Sequence, residues 1–141
     1  MRAKPNQSAG ESSEEETNSE YYVLGGGRVG EAVAERLSAD GYPTSLVDES
    51  YDSSGLSGTR GDPADVRVLE EAGLSGASTV VVATQLDRRN FLIAQLVRSH
   101  FDVSRVLVLA NVPERSDSLA EAGHETVCAT TALSEALVDD L

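Results

Sequence analysis

The chain has 141 residues, 40% of them hydrophobic, which is enough for one domain with its own core. Its formal net charge of −13, with Lys4 as the only lysine, repels nucleic-acid phosphates and anionic membrane surfaces and sets both aside as partners. The single cysteine, Cys128, excludes an internal disulfide, and with only His100 and His124 beside it a Cys/His metal cluster is out of reach.

No apolar run approaches the ~20 residues that span a bilayer, and the first residues lack the apolar core of a signal peptide. Direct membrane insertion is therefore not expected, and a cytoplasmic location is. Strong acidity with almost no lysine also fits a protein dissolved in a high-salt, halophilic cytoplasm.

Residues 1–20 are rich in Ser, Glu, Asn and Gln without apolar periodicity, and they read as a disordered acidic tail. Glu14–Glu16 reads as a solvated charge run. From Tyr21 to Leu141 the character changes to short apolar runs alternating with helical patterns, read as one domain. "YYVL" (21–24) reads as a strand, followed by a helix with Val29, Ala32, Val33 and Leu37 on one face and Gly41 past its end. "TSLVD" (44–48) is a second strand, and a short third one is expected near Gly58–Arg60. In "DPADVRVLEEAG", Asp62 suits a cap, Pro63 a first turn and Gly73 a stop.

The unbroken run "STVVVAT" (78–84) reads as a central strand covered on both faces. A helix follows over 87–100, with Leu92, Ile93, Leu96, Val97 and His100 along one stripe, so that His100 reads as a core histidine. "RVLVLA" (105–110) is another strand, then comes a helix from Pro113 to Ala122 stopped by Gly123. "ETVCA" is a short last strand and "ALSEALVDDL" a final helix. His124 is expected to be exposed and Cys128 to be packed. This alternation predicts an α/β fold: a parallel sheet with helices on both faces.

The junction of the first strand and helix is "GGGRVG". Its Gly25, Gly27 and Gly30 match G-x-G-x-x-G, with Gly26 between the first two. Gly25 permits the sharp turn, Gly27 lets a pyrophosphate touch bare backbone, and Gly30 lets the helix pack closely. The helix start, with Arg28 and Val29 in its first turn, offers free N–H groups and ~+0.5 of a charge from its dipole. Asp48 ends the next strand, 18 residues after Gly30, where a carboxylate accepts both ribose hydroxyls. A 2′-phosphate would meet Asp48 and then Glu49 with no basic residue adjoining them, so NADP is disfavoured. Arg28 reads either as a clamp on a terminal phosphate, its own or a neighbouring subunit's, or as a solvated arginine.

The turn, Asp48, the Gly61–Asp62 pair, and "VVVAT" with Asp87 and Asn90 after it together resemble the TrkA N-terminal family, also called the RCK or KTN domain. The resemblance runs from about Tyr21 to Leu141. It implies a Rossmann-like, doubly wound, six-stranded parallel sheet that binds NAD(H) or, as the alternative, ATP/ADP. It also implies pairing into a homodimer or higher homo-oligomer beneath a membrane potassium transporter or channel subunit, at the inner face of the membrane. By position, Gly25, Gly26, Gly27, Arg28, Val29 and Gly30 would hold phosphate, and Asp48 and Glu49 would lie at the ribose. Gly61, Asp62 and Pro63 would border the adenine, and Thr84 would lie at the crevice. Asp62 has a rival role as helix cap, and Asn90 reads as stabilising its own helix start. Asn111 stands where the family often has arginine.

An NAD-dependent oxidoreductase is the alternative, but it needs a catalytic acid or base and a substrate pocket. No such set is assembled from these residues, which favours a binding module over an enzyme. A sensor domain serving another effector is the third reading.

Overall fold

The computed structural model describes residues 19–53 and 55–141, so the expected tail lies outside the described residues except for Ser19 and Glu20. Glu20 already belongs to the fold. Its N–H donates to the Pro43 carbonyl, and its own carbonyl accepts from Ser78 and Thr79.

Six strands form one parallel sheet: β1 (Tyr21–Leu24), β2 (Thr44–Asp48), β3 (Gly58–Arg60), β4 (Thr79–Val82), β5 (Arg105–Ala110) and β6 (Glu125–Cys128). Their order is β3-β2-β1-β4-β5-β6, so the chain winds outward from β1 to one edge and then from β4 to the other. β1 pairs with both β2 and β4, with Leu24 level with Val47 and Val82. Among the described residues four helices join the strands, α1 (Gly27–Ala39), α2 (Val66–Glu71), α3 (Asp87–His100) and α4 (Pro113–Glu121), and a fifth, α5 (Ala129–Asp139), follows β6.

The two faces of the sheet are unequally covered. Tyr22, Leu24, Val80, Val82, Val108 and Ala110 pack with Leu69 of α2, Ile93 and Val97 of α3 and Leu119 of α4 into the main core. The opposite face has a small core of Val23, Ala34 and Leu46 under α1. This corrects the expectation that the 78–84 run is covered on both faces: Val80 and Val82 are buried, whereas Val81 is only half-buried. The face of α1 is also corrected. Val29 and Ala32 are exposed, Val33 and Leu37 are half-buried, and Gly30 and Ala34 make the tight contact. An apolar hollow of about 410 Å³ remains beside α1, between Val29, Val33, Val81, Leu107, Leu109 and Val127. α5 leaves it open, because no residue of α5 is buried. Among the described residues no helix is long and apolar enough to cross a membrane.

Tyr22 ties the central strand to α2. Its buried hydroxyl donates to the Ala72 and Gly73 carbonyls at 2.8 and 2.9 Å, satisfying acceptors that a helix end leaves free. α2 itself begins later than its sequence suggests. Asp65 caps it by accepting from Arg67 N–H, while Asp62 and Pro63 sit in the preceding turn. Gly73 does stop it, with φ 86°.

The histidines exchange their expected places. The buried stripe of α3 runs through Asn90, Ile93, Ala94 and Val97, leaving Leu92 and His100 exposed. The stripe is displaced by one position because the polar Asn90 points inward. His124 is 5% exposed, folded under α3. Its ring meets Phe91 edge-on at 5.6 Å, and its Nδ1 lies 3.2 Å from the Arg98 guanidinium. Its Nε2 is buried without a partner. Burial, and secondarily Arg98, push the His124 pKa below its ordinary value of 6.5. The unfolded chain thus binds this proton more readily than the folded one. The stabilisation is complete above about pH 6.5 and is lost as pH falls toward the folded pKa. Thermal melts between about pH 7.5 and pH 5 are expected to show this decline, and His124→Leu to flatten it over that window.

Candidate functional site

The crevice follows from the winding. After β1 the chain turns toward β2, after β4 it turns toward β5, and the diverging loops leave a gap at the carboxyl ends of the two central strands. A cavity of about 260 Å³ lies there, lined by Gly25, Gly26, Gly27, Asp48, Glu49, Pro63, Thr84, Gln85, Leu86 and Arg89.

The glycine turn is held from three sides. Gly25 and Gly26 are buried with φ of 76° and 104°, conformations that side-chain-bearing residues rarely adopt. A Cβ on Gly25 would stand 2.5 Å from the Thr84 methyl, and one on Gly26 2.5 Å from the Ala83 carbonyl. The turn is therefore wedged against the end of β4. A Cβ on Gly30 would lie 2.0 Å from the Gly25 carbonyl oxygen, so this glycine serves the turn's closure more than helix–sheet packing. Gly27 differs, because a Cβ there would meet nothing within 4 Å. It faces the open crevice at the start of α1, where its own N–H has no helical partner and turns to Asp48, while Val29 and Gly30 N–H donate to the Gly26 carbonyl.

Asp48 spans the gap between turn and β2. One carboxylate oxygen accepts from Gly27 N–H at 3.2 Å, and the other from Ser50 N–H at 3.2 Å. The N–H that a phosphate would use is thus occupied by the acid expected at the ribose. Pro63, buried, and Leu86, 61% exposed, supply apolar walls.

Asp62 lies beside the cavity, not among its lining residues. It accepts from Ala64 N–H at 2.8 Å and pairs with Arg89. The Ala64 N–H, more than the Arg89 guanidinium, holds its carboxyl below the usual range. Arg89 also reaches Glu49 at 3.5 Å, and Arg60 Nε donates to the Glu49 carbonyl at 3.3 Å. Two arginines therefore flank Glu49, against the sequence expectation of no basic residue nearby. Neither is close in sequence; β3 and α3 deliver them.

Of the other expected residues, Arg28 and Val29 are exposed at the start of α1, outside the lining set, and Gly30 is buried beneath the turn. Gly61 lies against Val68, where a Cβ would approach to 2.8 Å. Gln85, Leu86 and Arg89 were missed. "QLDRRN" contained them, but periodicity does not tell which side of the first turn of α3 meets the crevice.

Asn90 has a larger role than stabilising its own helix. Fully buried, its amide oxygen accepts from Thr84 N–H at 2.9 Å and from the Thr84 hydroxyl at 2.6 Å. Its amide nitrogen donates to the Thr84 and Leu109 carbonyls at 3.0 and 2.9 Å. Asn111 continues the network, with both its N–H and its side-chain amide donating to Asp87, at 2.8 and 2.7 Å. The floor of the crevice is thereby fixed to β5. Cys128, expected to be packed, is half-buried at the start of α5, where Thr131, chiefly through its backbone, draws the thiol pKa down.

The crevice brings together the start of α1, the Asp48 carboxylate on the Gly27 N–H, and the apolar Pro63 and Leu86.

The family model of the TrkA-N domain matches residues 21–130. A Trk system potassium uptake protein TrkA homolog from Methanothermobacter thermautotrophicus is 28% identical over 112 residues, covering 74% of this chain and 51% of the relative. The chain thus spans about half the length of that curated relative. Among solved structures, the NAD(P)-binding domain of an exopolyphosphatase-related protein from Archaeoglobus fulgidus superposes with a TM-score of 0.77 at 27% identity. That match covers 87% of this chain and 97% of the other. The GsuK channel bound to NAD gives a TM-score of 0.72 at 26% identity, covering 84% of this chain and 22% of the channel's. GsuK is also known in an ADP-bound form.

The glycines carry separable predictions. Gly30→Ala is expected to cost about 3 kcal/mol or more in urea denaturation, since its methyl collides with main chain. Gly27→Ala should cost only about 1 kcal/mol, for its φ of 50°, yet abolish adenine-nucleotide binding in calorimetry.

Proposed function

Because the chain belongs to the TrkA-N domain family, we propose that it is a nucleotide-binding regulatory module of a membrane potassium channel or transporter. NAD(H) is the first choice of ligand, with ATP/ADP the alternative. The observation that carries this reading is Gly27. Its backbone is open to the crevice at the start of α1, and Asp48 stands 3.2 Å away at the end of β2. A diphosphate takes the N–H groups, and Asp48, released from Gly27, takes the ribose hydroxyls. Pro63 and Leu86 then receive the adenine.

Relatives support the partner class. The curated relative is a potassium uptake protein, and GsuK is a channel with NAD-bound and ADP-bound forms. The module would act in the cytoplasm, at the inner face of the membrane through its transporter partner. Bound nucleotide would favour one packing of two such modules over another, and that difference would be passed to the membrane subunit. Arg28, exposed at the start of α1, would clamp a terminal phosphate, its own subunit's or a neighbouring one's. The likeness to a domain of an exopolyphosphatase-related protein favours, as a second reading, a sensor for a different effector.

Purified protein is expected to bind NADH or ADP in calorimetry while oxidising or reducing nothing across a substrate panel. Asp48→Asn should weaken either nucleotide about tenfold. Flat calorimetry for every adenine nucleotide overturns the reading, and turnover would establish the oxidoreductase instead.

A homodimer or larger homo-oligomer belongs to the same proposal. The apolar hollow beside α1 and the unburied Leu133, Leu137 and Val138 of α5 support it, because a short helix is marginal without a packing surface. Sedimentation should show a dimer or larger species. Leu137→Glu, at a residue 70% exposed in the monomer, should yield folded monomers.

A further inference from the structure

Arg89 is the single cation among the ten residues lining the cavity. It extends from the first turn of α3 to two acids on separate elements, Asp62 in the β3–α2 turn and Glu49 just past β2. Its side chain is 30% exposed, less than that of either acid, so the guanidinium has given up water for these carboxylates. Asp62 is further fixed by Ala64 N–H, which keeps the bridge anchored on the turn side. On the β2 side, Glu49 immediately follows Asp48, the acid assigned to the ribose.

We infer that the Glu49–Arg89–Asp62 bridge sets the discrimination at the ribose 2′ position, selecting adenine nucleotides with free ribose hydroxyls. The inference rests on the nucleotide reading above. A ribose held by Asp48 brings its 2′ substituent beside the bridge. A hydroxyl there leaves both ion pairs in place. A 2′-phosphate would have to draw Arg89 away from two carboxylates while lying against Asp48, Glu49 and Asp62. The pocket therefore rejects the phosphate with a cation already committed to acids, not by lacking one. Arg89 is a specificity-determining residue whose charge is held in reserve by Glu49 and Asp62.

The distinction is testable because Glu49 is exposed and its exchange for glutamine leaves size and fold intact. Calorimetry would compare AMP with adenosine 2′,5′-bisphosphate in the wild type, Glu49→Gln and Glu49→Gln/Arg89→Gln. The wild type is expected to prefer AMP about tenfold or more, and Glu49→Gln to narrow that ratio about fivefold by releasing Arg89 on the β2 side, so that the guanidinium, still paired with Asp62, can also meet the 2′-phosphate. Adding Arg89→Gln should abolish the gain. An unchanged ratio in Glu49→Gln overturns the inference alone. A gain that survives loss of Arg89 also overturns it, since removal of like charge would then suffice. A wild type that binds neither compound overturns the nucleotide reading and this inference together.

Discussion

A main-chain contact governs this structure: the α-carbon of Gly30 sits so close to the Gly25 carbonyl that a methyl group would stand 2.0 Å from the oxygen. That approach brings the start of α1 directly over the end of β1. It is possible only because Gly25 and Gly26 adopt positive φ while pressed against Thr84 and Ala83 at the end of β4. The turn thereby joins the two strands, β1 and β4, between which the winding order reverses. Gly27 is left as the one glycine of the turn with open space around its missing side chain. The crevice exists because the other three have none to spare.

The electrostatics of the crevice follow from that geometry. Under the proposed reading, a chain of net charge −13 would present positive potential to a phosphate through main-chain N–H groups at a helix start instead of lysines. Where it does place a cation, at Arg89, it surrounds it with Glu49 and Asp62. The crevice thus has a main-chain side at the start of α1 and a side where its lining cation is already paired with acids. The Thr84–Asn90–Leu109 hydrogen bonds keep this division sharp, because they fix the loop carrying Gln85 and Leu86 to the neighbouring strand.

The two faces of the sheet serve different ends. Three helices close one face and supply the main core, on which the crevice depends for rigidity. The other has α1 and an apolar hollow. With α5 unburied at the far edge, the chain carries both an uncovered sheet surface and a helix in need of one. The main core and the open apolar surface thereby lie on opposite faces of a single layer of strands.

Local signals in the sequence determined the order and kind of elements. Alternating apolar runs and helical spacing, punctuated by Gly41, Gly73 and Gly123, were enough to predict a parallel α/β sheet. The glycine spacing indicated a phosphate site and Asp48 a ribose contact, and Gly25, Gly26, Gly27 and Asp48 do lie together at one cavity, with Glu49, Pro63 and Thr84, which the family resemblance implied, beside them. Tertiary structure alone decided which side chains face inward. His124 is buried and His100 exposed because α3 turns Asn90 toward the Thr84 loop, which shifts its buried stripe. Arg89 reaches Asp62 and Glu49 because α3 starts beside a turn whose Asp62 lies 27 residues earlier in the chain. Periodicity reports how a segment alternates between two environments. Which neighbour supplies each environment depends on contacts between residues far apart in sequence, and those arise only once the sheet is assembled.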